Sequence, residues 1–267
     1  MKKLNILFAL AALTVVTGFL SCKRDMALKD PAVPASGNTA YISLIDVAPN
    51  LSTVLGIKAD TFNVLFNNVK VTGYTVGTSP VMTFSGIYPL SGTNNGYAVI
   101  PAGDQTIKFA RGVNTLDSLL LFTFNESLQA NSYYTLLVTD SIKSGNDAAR
   151  MFLKDNITPV DTGFYNMRFV NAVLNDTAGV DVWSKQNARN IFTNVKPGAV
   201  VDFAKFTSSW NTDTLFCRRA GTTVGLDTLL TQSFYSLRTY TLVYKGNAFS
   251  AVKTDTKRRH LIAYVNR

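Results

Sequence analysis

The sequence predicts an all-β protein built from two tandem antiparallel β-sandwiches, and three observations carry that prediction. From Tyr41 onward, short apolar stretches alternate with polar residues at a period of two, with turn residues between them. No long amphipathic helix is legible anywhere in the chain. Four of the alternating stretches then recur later in the same order. Alternation gives each sheet one apolar face, and two sheets packed face to face cover both.

Residues 1–21 read as a lipoprotein export signal. Lys2 and Lys3 give a positive start, the run from Leu4 to Leu20 is uncharged, and Phe19-Leu20-Ser21-Cys22 places a small residue before a cysteine. The run sits at the short edge of a bilayer span and is interrupted by Thr14, Thr17 and Gly18, which favours cleavage over a transmembrane anchor. Cleavage makes Cys22 the first mature residue, acylated on its sulfur and amine, and two or three acyl chains hold a protein at a membrane where one does not. Lys23 and Arg24 stand where an inner-membrane retention signal would carry aspartate, so the expected location is a Gram-negative outer membrane. Residues 22–38, with Pro31, Pro34, Ser36 and Gly37, read as a flexible tether.

The first sandwich is expected over residues 39–143. Its strands are read at Ile42–Val47, Phe62–Phe66, Val69–Val71 continuing after Gly73 through Tyr74 and Val76, Tyr97–Ile100, Thr106–Ala110, Leu119–Phe124 and Tyr133–Thr139, with turns at Thr93-Asn94-Asn95-Gly96 and Pro101-Ala102-Gly103. Residues 144–163, containing Gly145-Asn146-Asp147 and Pro159, are the expected linker, with a short strand near Met151–Leu153. The second sandwich, 164–267, repeats the first. Ile42-Ser43-Leu44-Ile45-Asp46 matches Met167-Arg168-Phe169-Val170-Asn171, and Phe62-Asn63-Val64-Leu65 matches Val180-Asp181-Val182-Trp183. Leu116-Asp117-Ser118-Leu119-Leu120 matches Leu226-Asp227-Thr228-Leu229-Leu230, and Tyr133-Tyr134-Thr135-Leu136 matches Thr239-Tyr240-Thr241-Leu242. The spacing places extra residues of the first copy between Gly77 and Gly96, and Leu261, Ala263 and Val265 add an edge strand to the second. The copies are expected to fold as separate, similar units.

A hydrophobic content of 46% against 16% charged residues excludes a disordered chain. The formal charge of +9 becomes +7 once Lys2 and Lys3 leave with the signal, and the rest is dispersed, its only tight groups being Lys23-Arg24, Arg218-Arg219 and Lys257-Arg258-Arg259. Without a basic helix or an RNA-binding signature, nucleic acid is not an expected partner. With Cys22 lipidated, Cys217 is a lone thiol; in Leu215-Phe216-Cys217-Arg218 it alternates like a strand residue and reads as buried and structural.

Several short motifs keep a common order in the two copies. A strand runs into Ile45-Asp46-Val47-Ala48-Pro49 or Val170-Asn171-Ala172; Asp181-Val182-Trp183 and the turn Pro101-Ala102-Gly103 follow, and the copies close on Tyr134-Thr135 and Tyr240-Thr241. Across residues 40–140 and 164–246 this pattern resembles the family called domain of unknown function 4397, common in secreted and surface-anchored bacterial proteins. The second copy lacks the Pro-Ala-Gly turn and the first lacks the Asp-Val-aromatic stretch. The resemblance implies an immunoglobulin-like fold for each sandwich and assigns no catalytic residues.

The chemistry-bearing residues are few. The single histidine, His260, has no His or Cys set around it for a metal, no Gly-x-Ser-x-Gly elbow is present, and the only glutamate, Glu126, has no marked partner aspartate. No enzyme, cofactor or metal is therefore expected, and His260 reads as solvent-exposed. Trp183 and Trp210 are the residues suited to ligand contact, Trp183 because alternation turns it away from Val180 and Val182. Asp followed by Ser or Thr and an aliphatic or small residue recurs around Ser118, Ser141, Thr177, Thr214 and Thr228 and resembles an O-glycosylation acceptor; the competing reading is a turn entering a strand, since Asp bonds its own backbone there. The expected function is a non-catalytic, lipid-anchored envelope module for adhesion, envelope architecture or the binding of a glycan or envelope protein. The alternative is an accessory subunit of an outer-membrane uptake or glycan-capture assembly.

Overall fold

The computed structural model describes residues 37–49, 61–71, 82–89, 96–110, 120–139, 150–209, 211–250 and 255–266, which form strands and no helix. The first copy contributes β1 (Thr39–Asp46), β2 (Thr61–Phe66), β3 (Val69–Lys70), β4 (Met82–Thr83), β5 (Ile87–Tyr88), β6 (Ala98–Pro101), β7 (Gly103–Ala110), β8 (Leu120–Leu128), β9 (Tyr133–Val138) and β10 (Arg150–Asp155). The second contributes β11 (Phe164–Asn171), β12 (Val180–Ser184), β13 (Arg189–Val195), β14 (Val200–Thr207), β15 (Asp213–Arg219), β16 (Gly225–Gln232), β17 (Thr239–Lys245) and β18 (His260–Val265). β10 lies inside the segment 144–163 and pairs along its whole length with β9, so that segment carries an edge of the first sheet.

The duplication extends to strand register. In the first copy one sheet runs β10-β9-β1-β5, with β6 also on β1, and the other runs β3-β2-β7-β8, with β4 on β2. In the second the sheets run β14-β11-β17-β18 and β13-β12-β15-β16. Ile42 stands opposite Tyr134 as Met167 stands opposite Tyr240, and Ser43 opposite Thr135 as Arg168 opposite Thr241. β3 and β4 together take the place of β13, and β5 and β6 together that of β14, since Met82 opposite Phe62 answers to Val195 opposite Val180 and Ile87 opposite Ile45 to Val200 opposite Val170. The extra residues of the first copy therefore fall between Val71 and Met82 and between Tyr88 and Ala98, which only partly overlaps the expected span from Gly77 to Gly96.

Two expectations need correction. The pairs β1–β9 and β11–β17 are parallel, whereas every other ladder among the described residues is antiparallel. The chain visits the second sheet between them, and such a long crossover is what lets a strand return in the same direction. The match of Leu116–Leu120 with Leu226–Leu230 does not follow the ladders either. Val64 faces Phe109 and Val182 faces Cys217; Phe109 then faces Phe122, but Cys217 faces Asp227. Asp227 thus corresponds to Phe122, not to Asp117, which lies outside the described residues. Likeness over five residues does not by itself fix register.

Each copy has its own core between its sheets. Ile42, Leu44, Phe62, Val64, Ile107, Phe109 and Leu136 fill the first; Met167, Phe169, Val180, Val182, Leu215, Cys217 and Leu242 fill the second. A third apolar cluster lies between the copies, where Ile45, Val47 and Leu137 meet Val170, Ala172, Val243 and Tyr264, flanked by Met151, Leu153 and Ile262. The sheets β10-β9-β1 and β11-β17-β18 therefore bury their outer faces on one another. This is why β1, β11 and β17 are buried at nearly every position while β14 and β16 are not.

At the centre of this contact the Arg168 guanidinium, 1% exposed, pairs with the Asp155 carboxylate. Arg168 also donates to Thr241 Oγ1 at 2.9 Å and Thr135 Oγ1 at 2.7 Å. Asp155 Oδ2 accepts from Tyr97 Oη and Thr135 Oγ1, both at 2.6 Å. Asn266 closes the network, accepting from Thr241 at 2.6 Å and donating to Tyr97 Oη at 2.8 Å. A buried ion pair is tolerated when its remaining donors and acceptors are satisfied in this way. Arg168→Ala leaves Asp155 charged and unpaired, and should lower unfolding stability by about 3–5 kcal/mol; urea denaturation reads this, and a loss within about 1 kcal/mol would contradict the role given to the pair.

Candidate functional site

The outer face of the sheet β13-β12-β15-β16 carries the strongest candidate. Val180 and Val182 point into the core, which turns Trp183 outward. The same alternation in β15 sends Leu215 and Cys217 inward and Thr214, Phe216 and Arg218 outward. Trp183, Phe216 and Thr228 stand in one row across three strands. The Trp183 and Phe216 rings are 5.6 Å apart and tilted by 59°, and the Arg218 guanidinium lies 4.5 Å from the centre of the Trp183 ring and 5.4 Å from that of Phe216. Trp183 is half-buried, so one contribution of the group is to brace the sheet. Among the described residues Arg218 forms no ion pair. Asp181, opposite it in the ladder, is taken up by the backbone N–H groups of Asn194 and Gly221 at 2.7 and 2.9 Å. The face therefore offers an aromatic pair and an arginine with no ion pair among the described residues, a combination suited to a hydroxyl-rich or carboxylate-bearing ligand. Phe216 and Arg218 were legible in the strand that holds Cys217, had the alternation been followed to its other face.

The sequence-derived acceptor residues separate in space. Thr177 is exposed in the β11–β12 loop, after Asp176. Asp176 Oδ1 accepts from the N–H groups of Thr177 and Ala178, and the carboxylate faces Arg219 at 3.6 Å and Arg259 at 3.8 Å. Thr214 and Thr228 are half-buried within strands. Asp213 is 2% exposed, accepting from Ser184 Oγ at 2.5 Å and Gln186 N at 2.9 Å. These bonds give the aspartates a structural reason to recur. Cys22, Ser118, Ser141 and Trp210 lie outside the described residues.

His260 is not a free surface residue. Its Nδ1 lies 2.8 Å from Asp227 Oδ2, which also accepts from Leu261 N at 2.7 Å, while Arg258 reaches Asp227 Oδ1 at 3.0 Å. Burial alone would raise the pKa of Asp227, but the hydrogen bonds from His260, Leu261 and Arg258 outweigh it and hold the carboxyl below its ordinary value. The basic group near the C-terminus is thus largely neutralised; Gly246 lets it approach, since a Cβ there would collide with the Arg258 carbonyl. Cys217, opposite Asp227, is fully buried with its thiol pKa pushed up chiefly by burial, so it offers this Asp–His pair no thiolate to activate. Glu126 is paired with Arg150 at 2.9 Å. No cluster of metal-ligating side chains occurs among the described residues.

The most perturbed groups with pKa values near neutrality belong to the contact between the copies. Asp46 is fully buried, and burial raises its pKa to about 7 against the opposing pull of the Ala48 N–H, Lys245 and Lys257. Its Oδ1 accepts from Ala48 N at 3.0 Å, while Oδ2 has no hydrogen-bond partner. Lys245, 1% exposed, is lowered to about 8 by burial, with Asp46 opposing, and is held by Ser85 Oγ and the Phe84 ring, 4.1 Å away.

No protein-family profile matches the chain, and no curated protein matches it. Among solved structures the chain is similar to "The Bacillus anthracis TIE protein", at 11% identity and a TM-score of 0.21, over 79% of this chain and 34% of that one. The chain spans about a third of the length of that protein.

The two shifted groups set a pH dependence. The folded chain keeps the Asp46 proton that the unfolded chain releases near pH 3.8, so this group's stability contribution is complete below 3.8 and is lost as pH rises to about 7. Lys245 acts oppositely: its contribution is complete above 10.5 and is lost as pH falls through about 8. Asp46→Asn removes the first effect, and Asn is the residue at the equivalent place, Asn171. Its stability gain over the parent should grow by about 2–3 kcal/mol between pH 5 and pH 8. A gain that stays flat across that range in urea titrations would assign Asp46 an ordinary pKa.

Proposed function

We propose that this chain is a non-catalytic, lipid-anchored module of the cell envelope, held at a Gram-negative outer membrane through Cys22 and presenting two β-sandwiches of the kind in the domain of unknown function 4397 family. On this reading its ligand contact is the outer face around Trp183, Phe216 and Arg218. The observation that supports it is a division of labour among polar groups. The buried cations Arg168 and Lys245 are committed to joining the copies, whereas Arg218 stands over an outward aromatic pair and forms no ion pair among the described residues. The ligand class is a glycan or an acidic segment of an envelope protein. Thr177 is the best placed of the described acceptor residues for O-glycosylation, because it is exposed in a loop.

Intact mass of the protein isolated from its native envelope tests the anchor and the modification together. The expected species is the chain from Cys22 plus two or three acyl groups, lost in Cys22→Ser. Hexose-scale increments that disappear in Thr177→Ala identify that acceptor; a mass equal to polypeptide plus lipid leaves Asp176 as a turn residue only. For the ligand face, crosslinking in intact envelopes followed by detergent extraction should recover a partner or glycan that Trp183→Ala and Arg218→Ala lose. Equal recovery by wild type and both variants would move the contact elsewhere. A stable transporter complex would favour the accessory-subunit alternative.

A further inference from the structure

The two copies meet through the same face, Ile87 being the exception: it packs against the shared cluster while its equivalent, Val200, is 37% exposed. Strand register equates Ile45 with Val170, Val47 with Ala172, Leu137 with Val243, Met151 with Ile262 and Leu153 with Tyr264. Both members of every pair lie in or against the shared apolar cluster. A surface meeting its own equivalent is the arrangement of a two-fold dimer, here contained in one chain.

The buried polar residues break that symmetry in a single direction. Asp46 and Asp155 of the first copy have Asn171 and Asn266 as their equivalents in the second. Arg168 and Lys245 of the second have Ser43 and Thr139 as theirs in the first. Both acids thus come from one copy and both bases from the other, and all four are at most 4% exposed. Local structure does not require the acid at position 46. Asp46 Oδ1 accepts from Ala48 N, and Asn171 Oδ1 does the same from Val173 N at 3.2 Å. At the other acid the answer from across the face is direct, since Arg168 pairs with Asp155.

We propose that these charges make the shared face one-way: a first copy accepts a second copy, and neither accepts its own kind. A first–first contact would bury Asp46 and Asp155 twice with no cation facing them. A second–second contact would bury Arg168 and Lys245 twice with no anion. Unpaired buried charge penalises the wrong pairing more than it favours the right one. The partner that fits either half of an opened chain is therefore the unlike half of another chain of the same sequence, in a reciprocal exchange.

The test uses the full chain with a protease site inserted between Pro159 and Val160, in the largely exposed connector after β10. Isotope-labelled and unlabelled batches are cut while folded, mixed, held in mild urea so that halves exchange, and weighed by native mass spectrometry. The expected species are first–second pairs only, including mixed-label ones. Like–like pairs, or separated single copies, would overturn the proposal. The fourfold variant Asp46→Asn, Asp155→Asn, Arg168→Ser, Lys245→Thr gives each position its equivalent's residue, and after cutting it should yield like–like pairs beside unlike ones. Exclusive unlike pairing in that variant would also overturn it. Should the fourfold variant not fold, D155R/R168D exchanges the central charges within the chain. Halves of that variant should fail to pair with the unlike halves of the wild type, and free cross-pairing would show that charge does not set the choice.

Discussion

The ion pair of Arg168 with Asp155 is the interaction around which the chain is arranged. It sits where the outer face of β10-β9-β1 meets that of β11-β17-β18, with Thr135, Thr241, Tyr97 and Asn266 using up its remaining hydrogen-bonding capacity. A charge pair so far from water is stable only while both sheets stay in place, which ties the position of each copy to the other. Two units that each have a core of their own are thereby joined across a third apolar layer. The turn between β4 and β5 adds to the joint, since Phe84 and Ser85 hold the Lys245 ammonium of the other copy.

That joint explains features a freestanding two-sheet unit would not have. β1 carries Ile42 and Leu44 toward its own core and Ile45 toward the other copy, and β17 does the same with Leu242 and Val243. Apolar residues on both faces are the mark of a strand covered on both sides. The segment expected to be a linker with a short strand near Met151–Leu153 contributes both of those residues to the contact for the same reason. What remains outward is the second sheet of each copy, and the Trp183–Phe216–Arg218 group stands on one of these.

Period-two alternation made much of this legible. It found the duplication, the inward position of Cys217 and the outward one of Trp183, because each depends only on which face of one strand a residue occupies. It had less to say about which strands face each other. His260 with Asp227 and Arg168 with Asp155 are contacts between residues far apart in sequence, and no local pattern marks them. The stretch Tyr41-Ile42-Ser43-Leu44-Ile45-Asp46-Val47 did hold a usable sign, with apolar residues on both faces of one strand. The parallel pairing of β1 with β9 and of β11 with β17 was hidden because alternation is the same in parallel and antiparallel strands.

If the buried contact makes the two copies one cooperative unit, heating must melt them together. Differential scanning calorimetry of the chain from Gly37 onward measures this directly. The account predicts a single transition whose calorimetric and van't Hoff enthalpies agree. Two resolved transitions, or a calorimetric enthalpy about twice the van't Hoff value, would mean that each copy melts alone and that the joint is incidental.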